Sequence, residues 1–330
     1  MRWTDGAVPA DTMIRVFGRG HHAHAEGPRR RPPPTPTTSV LIKRRWRLGD
    51  VIMCEPACRE LSARGASILF CTGTEYHAVV QCFHEPSPRV LTYPPPKSDM
   101  VRVADREVDL DVVTLDHPGY TTKVDAFLGA AGIDPAGLEP MARVPAVVPH
   151  PRHDAWARTK LAAMGILGEP IIGIVRTPYD ARSPRSLPDH VIDELGTMLS
   201  VDHHVVYIGA TPTRIEPRDR IHNMTGITPD VMFAAALMMH LRALVTVDTG
   251  LMHLAGAIGV PMVTVMGPTR PDDLATIYPG NTILDVGREC SPCYDRGCEE
   301  RCLDGVTAEA VFELTRSRAD HPDTPTIIHR

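Results

Sequence analysis

The segment from Val245 to Thr269, VTVDTGLMHLAGAIGVPMVTVMGPT, constrains the fold more than any other part of the chain. An apolar β-branched run is followed by an Asp-Thr-Gly turn, a helical stretch and a second β-branched run, which predicts a strand, a helix and a parallel strand. Asp248 and Thr249 then stand at the helix N-cap, and Gly250 allows close approach of a ligand. Free amides and the positive end of the helix dipole favour an anion such as a diphosphate.

The same residues also have an interpretation without a ligand. Any buried strand-helix-strand unit needs a capped helix, and Asp-Thr-Gly meets that need by itself. His253 lies on the first helical turn, where it either reaches the same anion or has a structural role. The residues of this segment alone leave both interpretations open.

The second half of the chain alternates short apolar runs with helical patterns. Strands are predicted at Ile171–Val175, His204–Ile208, Leu244–Val247 and Met262–Met266, and helices at Ala155–Met164, Pro188–Leu199, Asp230–Leu241 and Gly250–Ile258. This alternation is typical of a parallel, doubly wound α/β sheet, which binds ligands beyond the carboxyl ends of its strands. The residues expected to converge there are Arg176-Thr177, Gly209-Ala210, Asp248-Thr249 and Gly267-Pro268-Thr269.

The first half gives a weaker pattern. A strand at Val40–Ile42, a turn at Leu48-Gly49-Asp50, a helix after it and a strand at Ser67–Cys71 are predicted. PSPRVLTYPPPKSD has the composition of a proline-rich surface loop. A further strand is predicted at Leu110–Leu115 and a helix at Lys123–Ala131.

The length of 330 residues predicts two domains. Residues 1–39 are rich in Pro, Arg and His and predict a disordered tail. We expect an N-terminal Rossmann-like domain at residues 40–150 and a second domain at residues 151–330, with a cysteine-rich segment at 290–302. A proline-dense crossing at Val144–Asp154 separates them.

Charge and hydropathy exclude several classes of protein. A net charge of −5 argues against a nucleic-acid binder. No apolar run reaches the roughly 18 residues of a membrane-spanning helix, and no secretory signal is evident. We therefore expect a cytoplasmic protein whose cysteines are thiols or metal ligands. Its oligomeric state is not predicted.

Four segments, in this order, resemble the heptosyltransferases of glycosyltransferase family 9. They are RLGDVIMCEPACREL, RSLPDHVIDELGTML with HHVVYIG, HNMTG, and VDTGLMHLAGAIGVPMVTVMGPTRP. The resemblance covers most of Val40 to Val306. It implies a GT-B fold of two Rossmann-like domains whose parallel sheets face each other across a cleft, with the acceptor on the N-terminal domain and the donor on the C-terminal one.

The resemblance also implies an activity and the residues that perform it. The activity is inverting transfer of a sugar from a nucleotide-diphosphate donor, ADP-heptose by default, to a glycan, lipopolysaccharide-type, lipid-linked or protein hydroxyl, without a catalytic metal. Asp50 takes the position of the general base; its other interpretation is a helix N-cap. The donor-binding residues implied here, or expected from the strand ends, are Thr177, Arg185, Gly209, Asp248, Thr249, Gly250 and His253. Two alternatives remain: a nucleotide-sugar epimerase on the same scaffold, and a non-catalytic, metal-stapled interaction protein.

Four cysteines form a compact cluster, Cys290, Cys293, Cys298 and Cys302, with the spacing C-x2-C-x4-C-x3-C. Four thiolates at this spacing predict a structural metal site, since no coordination position remains open for catalysis. Similar clusters in some family members are associated with iron, and zinc fits four thiolates equally well. Two disulfides or four free thiols are the alternatives.

Overall fold

The computed structural model of the protein describes residues 38–83, 87–94, 104–114, 121–176, 184–287, 289–291, 293, 302–320 and 326–329. The expected tail therefore lies outside the described residues, except that the first strand already begins at Thr38. Thr177 and Cys298 also lie outside them.

The N-terminal lobe is a four-stranded parallel sheet in the order β3-β2-β1-β4. Its strands are β1 (Thr38–Lys43), β2 (Ala66–Thr72), β3 (Arg89–Thr92) and β4 (Arg106–Asp109). Its helices are α1 (Leu48–Met53), α2 (Glu55–Ala63), α3 (His77–Val80) and α4 (Lys123–Ala130). One helix was expected after the Leu48-Gly49-Asp50 turn, but it divides at Cys54, because Pro56 has no N–H to continue the helical hydrogen bonds.

The C-terminal lobe is a seven-stranded parallel sheet in the order β11-β10-β9-β8-β5-β6-β7. Its strands are β5 (Ile171–Val175), β6 (His204–Ile208), β7 (Ile221–Asn223), β8 (Ala243–Val247), β9 (Met262–Met266), β10 (Asn281–Asp285) and β11 (Thr326–His329). Its helices are α5 (Pro151–Ala163), α6 (Asp189–Leu199), α7 (Val231–Met238), α8 (Gly250–Ala257), α9 (Pro271–Leu274) and α10 (Ala308–Asp320). Among the described residues, no helix combines the length and apolarity that a bilayer span requires.

Two predictions for the first sheet were wrong. The strand expected at Leu110–Leu115 is β4 at Arg106–Asp109, and the proline-rich loop contains β3. Both are edge strands of the sheet. An edge strand buries less of its surface than a central one, and β4 buries only Val108, so its apolar pattern is weak.

The second sheet extends further than the sequence indicated. The predicted strands at Ile171–Val175, His204–Ile208 and Met262–Met266 are confirmed with those bounds. The elements β7, β10, α10 and β11 were not predicted. Three of them add to the sheet beyond its central strands, so the sheet is wider than the alternating pattern alone indicated.

The two lobes meet at the N-terminal ends of α1 and α8. A Cβ placed on Gly250 would lie 2.7 Å from Cβ of Leu48, so the two backbones approach closely. The amide of Val147 donates to the carbonyl of Ala257 at 3.1 Å, and one apolar cluster contains Ile42 of the first sheet and Met252 of α8. The ends of β1 and β8 are therefore packed against each other.

Candidate active site

Asp50 is positioned by a sharply bent connection between β1 and α1. Arg47, the residue before α1, has a φ of 71°, which a non-glycine residue rarely adopts, and its amide donates to the hydroxyl of Tyr76 at 3.1 Å. Such backbone strain is retained where surrounding contacts enforce it, and often at functional sites. The bend places Asp50 in the first turn of α1, at the carboxyl end of β1.

Both carboxylate oxygens of Asp50 are held by cations. The side chain is buried, with Nζ of Lys123 2.8 Å from Oδ1 and the guanidinium of Arg44 bonded to Oδ2. Arg44 also donates to the carbonyl of Leu110 at 2.8 Å. An ionised carboxylate has about four lone-pair directions, so Asp50 retains capacity to accept a proton from a ligand.

This arrangement keeps Asp50 ionised. Burial by itself would raise the pKa of Asp50, but attraction from Lys123 and then from Arg44 outweighs burial. The net result is a pKa below the ordinary value. Arg44, which precedes Asp50 by six positions, contributes to this shift. Lys123 was not foreseen, because 73 residues separate it from Asp50.

Asp248 is the corresponding buried carboxylate of the C-terminal lobe, at the end of β8. Its Oδ2 accepts from the hydroxyl of Thr269 at 2.8 Å and from the guanidinium of Arg185 at 3.2 Å. Both of these partners, which lie among the described residues, bind Oδ2 rather than Oδ1. Thr269 follows β9, the strand next to β8 in the sheet. The expected convergence of Asp248 and Thr269 at the strand ends is therefore observed.

The N-terminus of α8 lies directly after Asp248. Thr249 is the N-cap, yet its side chain makes no capping hydrogen bond, and its buried Oγ1 has no partner in the described structure. Gly250 is the first helical residue, and the close approach of Leu48 leaves little room for a side chain there. An uncapped helix start of this kind suits an anionic ligand.

His253 lies between the two carboxylates. It is buried, and its Nδ1 lies 3.0 Å from the hydroxyl of Tyr278. Burial lowers the pKa of His253, Asp248 and Asp50 oppose this, and Lys123 and Arg185 add to it. The ring of His253 also lies directly against Gly49, the neighbour of Asp50, so Asp50 and the helix that follows Asp248 meet at one place in the fold.

Gly209 and Arg176 lie at the ends of β6 and β5. A Cβ on Gly209 would lie 2.5 Å from the carbonyl oxygen of Arg176, so only glycine fits there without displacement. Arg176 is among the residues expected to converge at the strand ends. Its guanidinium is already paired with two carboxylates of α6, Asp189 at 3.1 Å and Asp193.

The cysteine segment contacts the loop after β9. The amide of Cys293 donates to the carbonyl of Pro268 at 2.7 Å, and a Cβ on Gly267 would lie 2.8 Å from Cβ of Cys302. Cys290 and Cys293 are free thiols, Cys302 is buried, and Cys298 lies outside the described residues. Within the part of the chain that is described, no three metal-binding side chains are grouped closely enough for a metal ion.

Two α/β lobes with parallel sheets, meeting at the carboxyl ends of their strands, define a GT-B glycosyltransferase fold. Solved structures agree. ADP-heptose lipopolysaccharide heptosyltransferase II of E. coli matches with a TM-score of 0.69 and 17% identity over 86% of this chain and 98% of that one. The iron-containing dodecameric glycosyltransferase TibC of enterotoxigenic E. coli H10407 matches with a TM-score of 0.61 and 13% identity over 86% of this chain and 78% of that one. TibC has also been solved with ADP-D-β-D-heptose.

Sequence comparison finds similarity over part of the chain. Residues 219–304 match Glycosyltransferase family 9 (heptosyltransferase). Lipopolysaccharide heptosyltransferase 1 of Pseudomonas aeruginosa PAO1 is 38% identical over 88 residues, which span 25% of this chain and 25% of that protein. In this part of the C-terminal lobe, which includes Asp248 and His253, the chain is thus similar to the heptosyltransferases of glycosyltransferase family 9.

Proposed function

We propose that the chain is an inverting glycosyltransferase that moves a sugar, heptose in the first instance, from a nucleotide diphosphate to a hydroxyl acceptor. The observation that carries the proposal is the proximity of two buried carboxylates, one from each lobe: the ring of His253, on the helix that follows Asp248, lies directly against Gly49, the neighbour of Asp50. The acceptor hydroxyl belongs to a glycan, a lipid-linked sugar or a protein.

In this proposal Asp50 is the general base. It accepts the proton of the acceptor hydroxyl as that oxygen attacks the anomeric carbon from the face opposite the leaving group. One displacement of this kind inverts the anomeric carbon. The low pKa of Asp50 makes it a weak base, which suits proton transfer late in the reaction, after the bond to the leaving group has largely broken.

The donor lies against the C-terminal lobe. Oδ1 of Asp248 accepts from a hydroxyl of the donor sugar, while the uncapped start of α8 faces the diphosphate. Arg185 neutralises charge that grows on the leaving nucleotide. Thr177 and Gly209 stand at two further strand ends on this side. The solved complex of TibC with ADP-D-β-D-heptose and the similarity to the E. coli ADP-heptose enzyme support ADP-heptose as the first donor to test.

The four cysteines are proposed to bind one structural iron or zinc ion. Support comes from their spacing and from the anchoring of Cys293 and Cys302 on the Gly267-Pro268 turn. Metal analysis of the protein purified without chelators is expected to give about one ion per chain. The Cys290→Ser/Cys293→Ser variant loses the metal, whereas Cys58→Ala, which removes a buried thiol of α2, retains it.

The central experiment combines donor binding with transfer. Calorimetry against ADP-, UDP- and GDP-sugars is expected to show tightest binding of ADP-heptose. Asp50→Asn is expected to retain donor binding and lose about 10²- to 10⁴-fold of transfer rate. Asp219→Asn, at an exposed aspartate, is the control. Conversion of the donor sugar without acceptor would indicate an epimerase, and full activity of Asp50→Asn would remove the proposed base.

A further inference from the structure

A second cleft lies between the lobes, with a volume of about 730 Å³. Its N-terminal wall is the start of α4 and the short turn after it, and its C-terminal wall is α9 with the residues that follow. The lining residues are Thr121, Thr122, Pro140, Met141, Arg143, Val144, Arg270, Asp272, Asp273, Thr276, Ile277 and Pro279. A space of this size accommodates a small oligosaccharide.

The walls of the cleft are adjacent in sequence to partners of both site carboxylates. Thr122 precedes Lys123, whose ammonium binds Asp50. Arg270 follows Thr269, whose hydroxyl binds Asp248. Each wall therefore contains a residue that neighbours, in the chain, a direct partner of a site carboxylate.

Strand order places the cleft on the side of Asp248 opposite the donor residues. In the C-terminal sheet the order is β9-β8-β5-β6, with Asp248 at the end of β8. Arg185 follows β5 and Gly209 follows β6, whereas the cleft is built on α9, directly after β9. A donor bound by Arg185 and Gly209 therefore leaves the cleft free for the second substrate.

The charges along the cleft disfavour an anionic occupant. Arg143 is paired with Asp125 at 2.6 Å. The remaining charged groups of the described lining are one guanidinium, Arg270, and two carboxylates, Asp272 and Asp273. A phosphate in this setting meets net negative charge, whereas sugar hydroxyls find both acceptors and donors.

The rest of the lining suits carbohydrate as well. Met141 is 50% exposed, and with Val144 and Ile277 it offers an apolar surface for the C–H face of a sugar ring. We infer that this cleft binds the acceptor, and that the acceptor units held there are uncharged sugars rather than phosphorylated ones. This inference rests on the proposed function.

The test uses the full-length protein with ADP on an array of neutral oligosaccharides and of the same oligosaccharides carrying one phosphate monoester. Thr276→Trp fills the cleft from an exposed position, and Val201→Trp is the control at a site that is 71% exposed. The wild type is expected to bind neutral members at least about tenfold better, and Thr276→Trp to lose that binding with unchanged affinity for ADP-heptose. Asp272→Lys is expected to shift preference towards the phosphorylated members.

The results separate the inference from the proposed function. Preference for phosphorylated members, binding unaffected by Thr276→Trp, or no binding to any member each overturns the inference while ADP-heptose binding stands. Failure of the wild type to bind ADP-heptose or ADP overturns the proposed function itself. If Asp272→Lys still binds only the neutral members, the charges of this cleft do not select the acceptor, and the inference is contradicted.

Discussion

Gly49 of the N-terminal lobe lies directly against the imidazole of His253 in the C-terminal lobe. A Cβ added to Gly49 would overlap this ring and lie 2.8 Å from its Nε2. Gly49 is adjacent to Asp50, and the charges of Asp248 and Asp50 both raise the pKa of His253 against the effect of burial. The contact therefore sets the separation of the two site carboxylates.

Gly49→Ala is expected to force α1 and α8 apart, because His253 is buried and bonded to Tyr278 and has little room to move. Overpacking of this kind costs about 1–3 kcal/mol of unfolding free energy. We expect transfer activity to fall further than stability. Denaturant unfolding and kinetics check this against Gly137→Ala, where a Cβ meets no atom within 4 Å. Equal behaviour of the two variants would contradict the prediction.

Lys123→Met is expected to move the acidic limb of the kcat/KM profile to higher pH. Lys123 is the largest attraction that lowers the pKa of Asp50, so without it burial is opposed mainly by Arg44. The protonated, inactive form of Asp50 then persists to higher pH. Lys123→Arg restores the profile, and Lys160→Met, on the exposed face of α5, leaves it unchanged. An unshifted limb in Lys123→Met would mean that Lys123 does not control this carboxylate.

The ion pair of Asp50 and Lys123 also makes the free energy of unfolding depend on pH. Because the folded-state pKa of Asp50 is lowered, its ion pairs stabilise the protein above the ordinary pKa of an aspartate. That contribution is lost as the pH falls through the lowered pKa. Lys123→Met should therefore reduce the stability difference between neutral and acidic pH.

Thr269→Val is expected to weaken ADP-heptose binding roughly tenfold, because hydrogen bonds to charged groups contribute about 1.5–3 kcal/mol. The substitution removes the hydroxyl that donates to Oδ2 of Asp248 and keeps the side-chain volume at a position that is 1% exposed. Thr269→Ser retains the donor and should bind nearly as the wild type does. Calorimetry measures both, and equal affinity of the Val variant would show that Thr269 does not orient Asp248.

Glu55→Gln is expected to remove a pH dependence of stability that has no connection with catalysis. Burial raises the pKa of Glu55 to about 7, despite Arg59 at 2.9 Å and the amide of Ala146 at 2.9 Å. The folded state keeps a proton that the unfolded chain releases above its ordinary pKa. Wild-type stability should therefore decrease, by about 2–3 kcal/mol, as the pH rises from 4.5 to 7.

Urea unfolding at pH 5 and pH 8 measures this effect. The Gln variant should give similar free energies of unfolding at the two pH values, since its amide cannot ionise. Glu60→Gln, on the same helix, should keep most of the wild-type difference, because Glu60 makes the smallest contribution to the pKa of Glu55. A wild type that is equally stable at both pH values would show that Glu55 is ionised throughout.

Long apolar alternation made much of the C-terminal sheet predictable. Strands such as Ile171–Val175 are buried on both faces, so their sequences are continuous apolar runs. The edge strands β3 and β4 were misplaced because exposed, charged residues interrupt their pattern. The positions of Asp248, Thr249 and Gly250 at the start of α8 could be predicted because these residues occupy one turn, and the preferences for helix caps and for glycine depend on neighbouring residues only.

The sequence by itself determined the strand-helix alternation, the acidic turns at Asp50 and Asp248, and the spacing of the cysteines, because each depends on residues within a few positions of one another. Only the tertiary structure brought Lys123 to Asp50, Thr269 to Asp248 and His253 between the two carboxylates. Those contacts join residues 21 to 73 positions apart or on different lobes. Long-range pairing depends on sheet order and helix packing, which local periodicity does not specify.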